Sequence, residues 1–458
     1  MNIFQKINTN EKYRKIIISV ILTKLALIFI ASFNQMVSPH IHRQVDTLGV
    51  AMRYWLKMTH ESFSLETILP AVINSGSGNG ITPMEFPIIN LLLAPFFIGS
   101  DLINIPIVTL VFVVLTIILW RLSYKSWDGV QIGKVEVKNV ILWMPILSLT
   151  SIYAGKFIPD TIALFLILIA VGRSWDKPKI ESVLYASVAL LIKPVLVIGF
   201  GLFLYKDIKE VVIRYWYIWL VPILVALIYY TLGVAFITEH GSMNLFAIEV
   251  RGLSKGLLNF VKHSYKFPKL LNEMLFIRFA SIVVFPFIII KLFKRDSFVI
   301  RSLMILSLQL LSIAIIGGKE VYAHDYYFLG MVPILLLLSF SVLNKINNKL
   351  VVLVLMIFTF RTLEVFYSDS KPIFSSKKRH WRITEQCRQL KIENKNFPWS
   401  KNEVFRTSNE GYPLLAICLR ERVGSTFSKY GVLYATDGIP EGCREIKRYK
   451  DIKAIECE

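Results

Sequence analysis

The sequence predicts an all-α polytopic membrane protein: a bundle of about eleven transmembrane helices with juxtamembrane helices outside and a small extracytoplasmic carboxyl-terminal domain. Three observations predict it. Of 458 residues 54% are hydrophobic and only 18% charged, with mean hydropathy +0.55, which is far more apolar surface than one soluble core can bury. The apolar residues fall in successive long runs. Finally, the basic residues behind the net charge of +20 lie mostly in short loops between those runs, where they set topology and meet anionic headgroups. Membrane lipid is therefore the expected partner of that charge, and nucleic acid is not.

Met1 to Lys15 is polar and carries Lys6, Lys12, Arg14 and Lys15 ahead of an apolar run from Ile16 to about Met36. The run exceeds a signal-peptide core and no small-x-small site follows, so it reads as an uncleaved first span with the amino terminus in the cytoplasm. The stretch 37–102 then lies outside. Within it Leu48, Met52, Trp55 and Leu56 recur at helical spacing, with Arg53 and Lys57 on other faces, predicting a helix that lies in the interface. Asp46 is expected at or next to the amino-terminal end of that helix, where dipole and free amides favour a carboxylate; a helix cap is the competing reading of this residue. Ser75 to Gly80 is a flexible turn without the strand and helix flanks of a phosphate loop.

Ile88 to Ile98 is too short to span alone, and counting it would leave Arg121, Lys125, Lys134 and Lys138 outside. It reads as a juxtamembrane helix, and Leu102 to Trp120 as the second span. The third (Val140 to Tyr153) leads outward to Lys156 and Asp160, and the fourth returns to Arg173. Spans five and six are short, Val183 to Ile192 and Val195 to Tyr205, joined at Lys193-Pro194. The seventh runs from Tyr215 to Ile237, the eighth from Leu275 to Ile290 and the ninth from Leu303 to Ile316. The tenth ends at Lys345, and the eleventh, Leu350 to Phe366, exits again. Residues 1–367 form the expected transmembrane catalytic domain. Residues 368–458 change character, being charged and holding all four cysteines, Cys387, Cys418, Cys443 and Cys457. An even count outside the membrane suggests one or two disulfides; no C-x-x-C pair supports a zinc site.

The external face collects the charged candidates. Asp46, Glu85 and Asp160 supply carboxylates, while Arg43, Lys156, Lys193, Lys319 and His324 supply positive or switchable charge. The loop 238–272 adds Arg251, Lys255, Lys262, His263, Lys266 and Lys269. Lys193 is the most informative, because a cation inside an apolar segment is costly and implies a partner or a wet cavity. Its alternative is a lysine snorkelling from a short helix end. His40 and His42 form an H-x-H pair that lacks further ligands at metal-site spacing, so no metal site is assigned.

Together these features resemble the GT-C superfamily of integral-membrane glycosyltransferases, particularly bacterial relatives of protein O-mannosyltransferases and of the aminoarabinose transferases acting on lipid A. Arg43-Gln-Val-Asp46-Thr47 is similar to the family's R-x-x-D-T string in the first external loop, and Glu85-Phe86-Pro87 to its E-[YF]-P segment. Pro159-Asp160 matches the second acidic residue, and His324-Asp325-Tyr326-Tyr327 with Pro333 matches an H-x-Y-Y string before a late span. The likeness covers roughly residues 10–370. It implies transfer, with inversion, of a sugar from a polyprenyl (undecaprenyl) monophosphate to a cell-envelope acceptor such as the O-antigen of lipopolysaccharide, outside the bacterial inner membrane. On that reading Asp46 is the general base; Arg43, Glu85, Asp160, Lys193, Lys319, His324, Tyr326 and Tyr327 bind substrate. The resemblance implies no required cofactor and leaves a divalent metal open. Two other classes compete: a polysaccharide polymerase or ligase with a diphosphate-linked donor, and a lipid-linked sugar transporter or flippase, for which no internal repeat is visible.

Overall fold

The computed structural model describes residues 3–33, 41–60, 69–70, 81, 84–97, 105–240, 258, 260–266, 280–317, 325–345, 347–374, 405–406, 423–424, 430–434, 439, 443–449 and 452–457. The protein is polytopic and mainly helical. Among the described residues, five helices are long and apolar enough to cross a membrane: Pro106–Ser126, Trp216–His240, Ser297–Ala314, Tyr326–Leu343 and Asn348–Ser370. Shorter apolar helices accompany them at Ile88–Phe97, Val137–Leu147, Glu181–Ile192 and Pro194–Tyr205. The chain divides into two compact units, one of Met1–Leu27, Val113–Ile228 and Ile248–Asp369, the other of Ile28–Phe112, Tyr229–Ala247 and Ser370–Glu458.

In the first unit, the helices Pro159–Arg173 and Val332–Leu343 are apolar on every side and buried along almost their whole length. A helix without a polar face belongs at the centre of a bundle. The third expected span is two helices, Val137–Leu147 and Leu149–Tyr153, broken at Ser148, whose extended backbone lets its hydroxyl accept from the Thr150 amide. The sixth is a 3₁₀ helix over Pro194–Tyr205. At about 2.0 Å per residue, its 12 residues reach about 24 Å, where an α-helix of that length reaches about 18 Å. The tighter winding lengthens so short an apolar segment by about 6 Å. Gly199 permits the close approach: a Cβ there would lie 2.6 Å from Ile167 Cγ1. Arg301 closes the far end, donating to the carbonyls of Leu204, Tyr205 and Lys206. A small hairpin of β1 (Gln131–Ile132) and β2 (Val135–Glu136) interrupts the loop after the second span.

In the second unit, the predicted surface helix runs over Ile41–His60. Its start corrects one expectation, since Asp46 is the sixth residue of the helix. Only the first four amides of a helix lack partners, so Asp46 sits in the second turn and the cap reading fails. Lys57 is also buried, not turned to water, because it follows Val50 and Tyr54 down one face. Val50 and Tyr54 pack with Met84 and Ala94, flanked by Trp55 and Leu91. Burial pushes the Tyr54 phenol up, so it stays neutral. The Ile88–Leu93 helix continues as a 3₁₀ turn, Ala94–Phe97, and about 15 Å of helix is half a bilayer core.

The carboxyl-terminal region carries a five-stranded sheet in the order β4-β3-β5-β7-β6, from β3 (Phe405–Arg406), β4 (Val423–Gly424), β5 (Tyr430–Tyr434), β6 (Cys443–Tyr449) and β7 (Ile452–Cys457). β3 runs parallel to β4 and β5, and β7 is antiparallel to both its neighbours. Cys443 is disulfide-bonded and stands opposite Cys457 in the ladder.

Candidate functional site

Within the first unit, four residues singled out from the sequence come together. Pro159 occupies the first turn of its helix, where its missing amide costs nothing, and places Asp160 beside the positive end of the helix dipole. Lys193 stands where the Glu181–Ile192 helix ends, and Pro194 after it forces an extended backbone of φ −149°, ψ 95°. The break turns the lysine inward. Its Nζ lies 3.1 Å from Asp160 Oδ1, with both side chains almost fully buried. The same ammonium lies 4.9 Å from the ring centroid of Tyr326 and 4.4 Å from that of Tyr327. Those rings belong to the 3₁₀ helix Asp325–Met331 and stack on each other at 5.2 Å, and Tyr153 meets Tyr326 edge-on at 6.2 Å.

Chemically, this is a cation held in low dielectric by one carboxylate and two ring faces. The snorkelling alternative for Lys193 fails, since its ammonium is turned into the protein and only 2% of the residue is exposed. Such a group is suited to meeting an anion that enters the site, because its desolvation cost has already been met by the fold.

The other unit holds Arg43, Asp46 and Glu85. Arg43 and Asp46 are the third and sixth residues of the Ile41–His60 helix; their side chains lie outside the described part. Asn90 donates to the Thr47 carbonyl at 2.7 Å, tying that helix to the one after Glu85. Glu85 is half-buried, and both its neighbours are held by Tyr229. The Tyr229 hydroxyl donates to the Met84 carbonyl at 2.9 Å, and its ring meets Phe86 edge-on at 5.1 Å. Tyr229 opens a π turn, Tyr229–Gly233, in the middle of an apolar helix, an irregularity frequent at functional sites. Lys319 and His324 lie outside the described residues, as does most of the basic 238–272 loop.

Two solved structures share this architecture. ArnT from Cupriavidus metallidurans bound to undecaprenyl phosphate matches with a TM-score of 0.59 and 8% identity over 96% of this chain and 97% of that one. The same protein in the apo state matches at 0.56 and 10% identity, with the same coverage. The fold is ArnT-like. No family model matches the chain, and neither does any curated protein.

One ionic group in the first unit of this ArnT-like fold went unnoticed in the sequence. Lys24, Lys156 and Asp369 meet in its interior, each no more than 2% exposed. Lys156 Nζ donates to Asp369 Oδ1 at 2.7 Å; Lys24 Nζ lies 3.8 Å from Asp369 Oδ2 and donates to Ser151 Oγ at 2.7 Å. The signal was present. Lys24 is a cation inside the first apolar run, just as Lys193 is inside a later one.

Proposed function

We propose that the chain is an inverting glycosyltransferase that moves a sugar from a polyprenyl monophosphate, undecaprenyl phosphate in bacteria, to a cell-envelope acceptor such as the O-antigen of lipopolysaccharide. The observation that carries this reading is the buried Lys193 ammonium, held by Asp160 and faced by Tyr326 and Tyr327, in a chain whose fold resembles an ArnT bound to undecaprenyl phosphate. Lys193 then supplies positive charge to the phosphate oxygens as the bond from phosphate to the anomeric carbon breaks. The leaving group departs as a lipid phosphate that is already stable, so the reaction needs cationic stabilisation more than a general acid.

Asp46 is assigned as the general base. It takes the proton of the acceptor hydroxyl or amine while the acceptor atom bonds to the anomeric carbon from the face opposite the phosphate. Glu85 and Arg43 are assigned to orienting the acceptor, and Lys319 and His324 to the departing phosphate. In this reading the enzyme sits in the bacterial inner membrane with its amino terminus in the cytoplasm and its carboxyl-terminal region outside, and it works without a cofactor.

Purified protein in detergent, offered the same sugar on a monophosphate and on a diphosphate lipid, tests the reading. The monophosphate donor is consumed and the diphosphate is not; the opposite result overturns the assignment. Asp46→Asn lowers transfer by about three orders of magnitude or more while undecaprenyl phosphate still binds, and substantial residual turnover removes Asp46 from the base role. Transfer stays within about twofold in excess EDTA, and its loss on chelation would show that a divalent ion takes part.

A further inference from the structure

The segment between Tyr153 and Asp160 is anchored at both ends. Near its start, Lys156 reaches the Asp369 carboxylate, which Lys24 also contacts. At its far end, Asp160 reaches Lys193. Between them the backbone is a closed turn: Ala154 N–H donates to Thr150 O at 2.8 Å, Lys156 N–H to Tyr153 O at 3.1 Å and Ile158 N–H to Lys156 O at 2.6 Å. Gly155 adopts φ +81°, a left-handed conformation that only glycine takes without strain. Phe157 and Ile158 are fully packed, and Tyr153 at the start touches the Tyr326 ring that faces Lys193. A short, hydrogen-bonded and buried turn has little room to absorb movement at one end without passing it to the other.

We propose that Lys24, Lys156 and Asp369 are positioning residues, whose ionic cluster fixes the 153–160 turn and thereby the place of Asp160 and the aim of Lys193. Asp369 is the key member, since it closes the cluster from the last long helix, Asn348–Phe374, against two lysines from other parts of the unit. In this role the three residues act through Asp160, which follows Lys156 by four residues in the same turn. The inference deepens the proposed function, because it takes Lys193 as the cation that meets a lipid phosphate.

Its test uses the full-length protein in detergent, with two readouts. The first is labelling of Lys193 by an amine-reactive reagent, read by mass spectrometry and compared with Lys206, whose ammonium lies over the Trp175 and Tyr215 rings away from the turn. The second is affinity for undecaprenyl phosphate. In Asp369→Asn, Lys193 labelling rises about threefold to tenfold while Lys206 is unchanged, and undecaprenyl phosphate binds about threefold to tenfold more weakly. Asp369→Glu, which keeps the charge but lengthens the side chain, moves both readouts the same way by less, and serves if Asp369→Asn does not fold. The exchange Lys156→Asp with Asp369→Lys restores part of the loss.

Unchanged Lys193 labelling in folded Asp369→Asn or Asp369→Glu overturns the proposal. So does an equal rise at Lys206, which marks general loosening. If the wild-type protein does not bind undecaprenyl phosphate but Lys193 labelling still rises selectively, the functional reading fails and the positioning role stands.

Discussion

Among the described residues, two buried ionic groups of the first unit differ in how their charge is arranged. At Asp160–Lys193 an acid meets a base, and two tyrosine rings face the ammonium. At Lys24–Lys156–Asp369 two bases share one acid, with a serine hydroxyl as the additional contact. Ring faces attract a cation without consuming it, whereas a carboxylate shared by two lysines is committed to both. On the proposed function, the first arrangement presents its ammonium to an incoming anion. The second is occupied with holding its own members in place.

The largest effect that separates them is on stability. Removing one partner of a buried pair costs about 3–5 kcal/mol, because the remaining charge is stranded. Asp369→Ala strands two ammoniums and is expected at the top of that range. Asp160→Ala strands one, and that one keeps two ring faces worth about 0.5–2 kcal/mol each. Thermal unfolding in detergent of the two variants side by side gives the order. If Asp160→Ala unfolds as early as Asp369→Ala, the contrast between the clusters collapses.

Next in size is ligand binding. Lys193→Met removes the ammonium but leaves Asp160 at a helix amino terminus, where a carboxylate is favoured. The variant leaves a buried carboxylate without its ammonium, a cost of about 3–5 kcal/mol that the helix terminus offsets by up to about 2 kcal/mol, while its affinity for undecaprenyl phosphate falls about tenfold or more. Lys24→Met leaves Asp369 paired with Lys156 at 2.7 Å, so it is expected to change stability by less than Lys193→Met and affinity by less as well. Matched losses of affinity in both would remove the distinction between the two clusters.

This contrast also shows what could be read before the fold was known. The rule that a charge inside an apolar run implies a partner identified Lys193, and the structure supplies Asp160 as that partner. The sequence leaves open which cation Asp160 meets, because the pairing depends on how two helix ends are brought together. Lys24 satisfies the same rule inside the first apolar run. Asp369 was assigned to the terminal domain, although it lies within the last long helix and meets a lysine 213 positions earlier. Asp46 was misplaced for a different reason. Apolar spacing marks where a helix becomes amphipathic, and the Ile41–His60 helix begins five residues before that point. The 3₁₀ winding of Pro194–Tyr205 left no mark in its apolar pattern, and only its shortness hinted at it.

The smallest predicted effect lies on the aromatic side of the Lys193 site. Tyr327 is the nearer of its two rings, at 4.4 Å against 4.9 Å. Tyr327→Phe keeps the ring face and is expected to leave stability within about 0.5 kcal/mol of wild type, while Tyr327→Leu loses both the quadrupole and some packed volume and costs about 1–2 kcal/mol more. Repeating the pair in a Lys193→Met background separates the two terms, since an uncharged side chain gains nothing from a ring face and only the packing term remains. The difference is expected to shrink there by about 0.5–2 kcal/mol. An undiminished difference would assign Tyr327 to packing alone and leave Asp160 as the group that holds the cation.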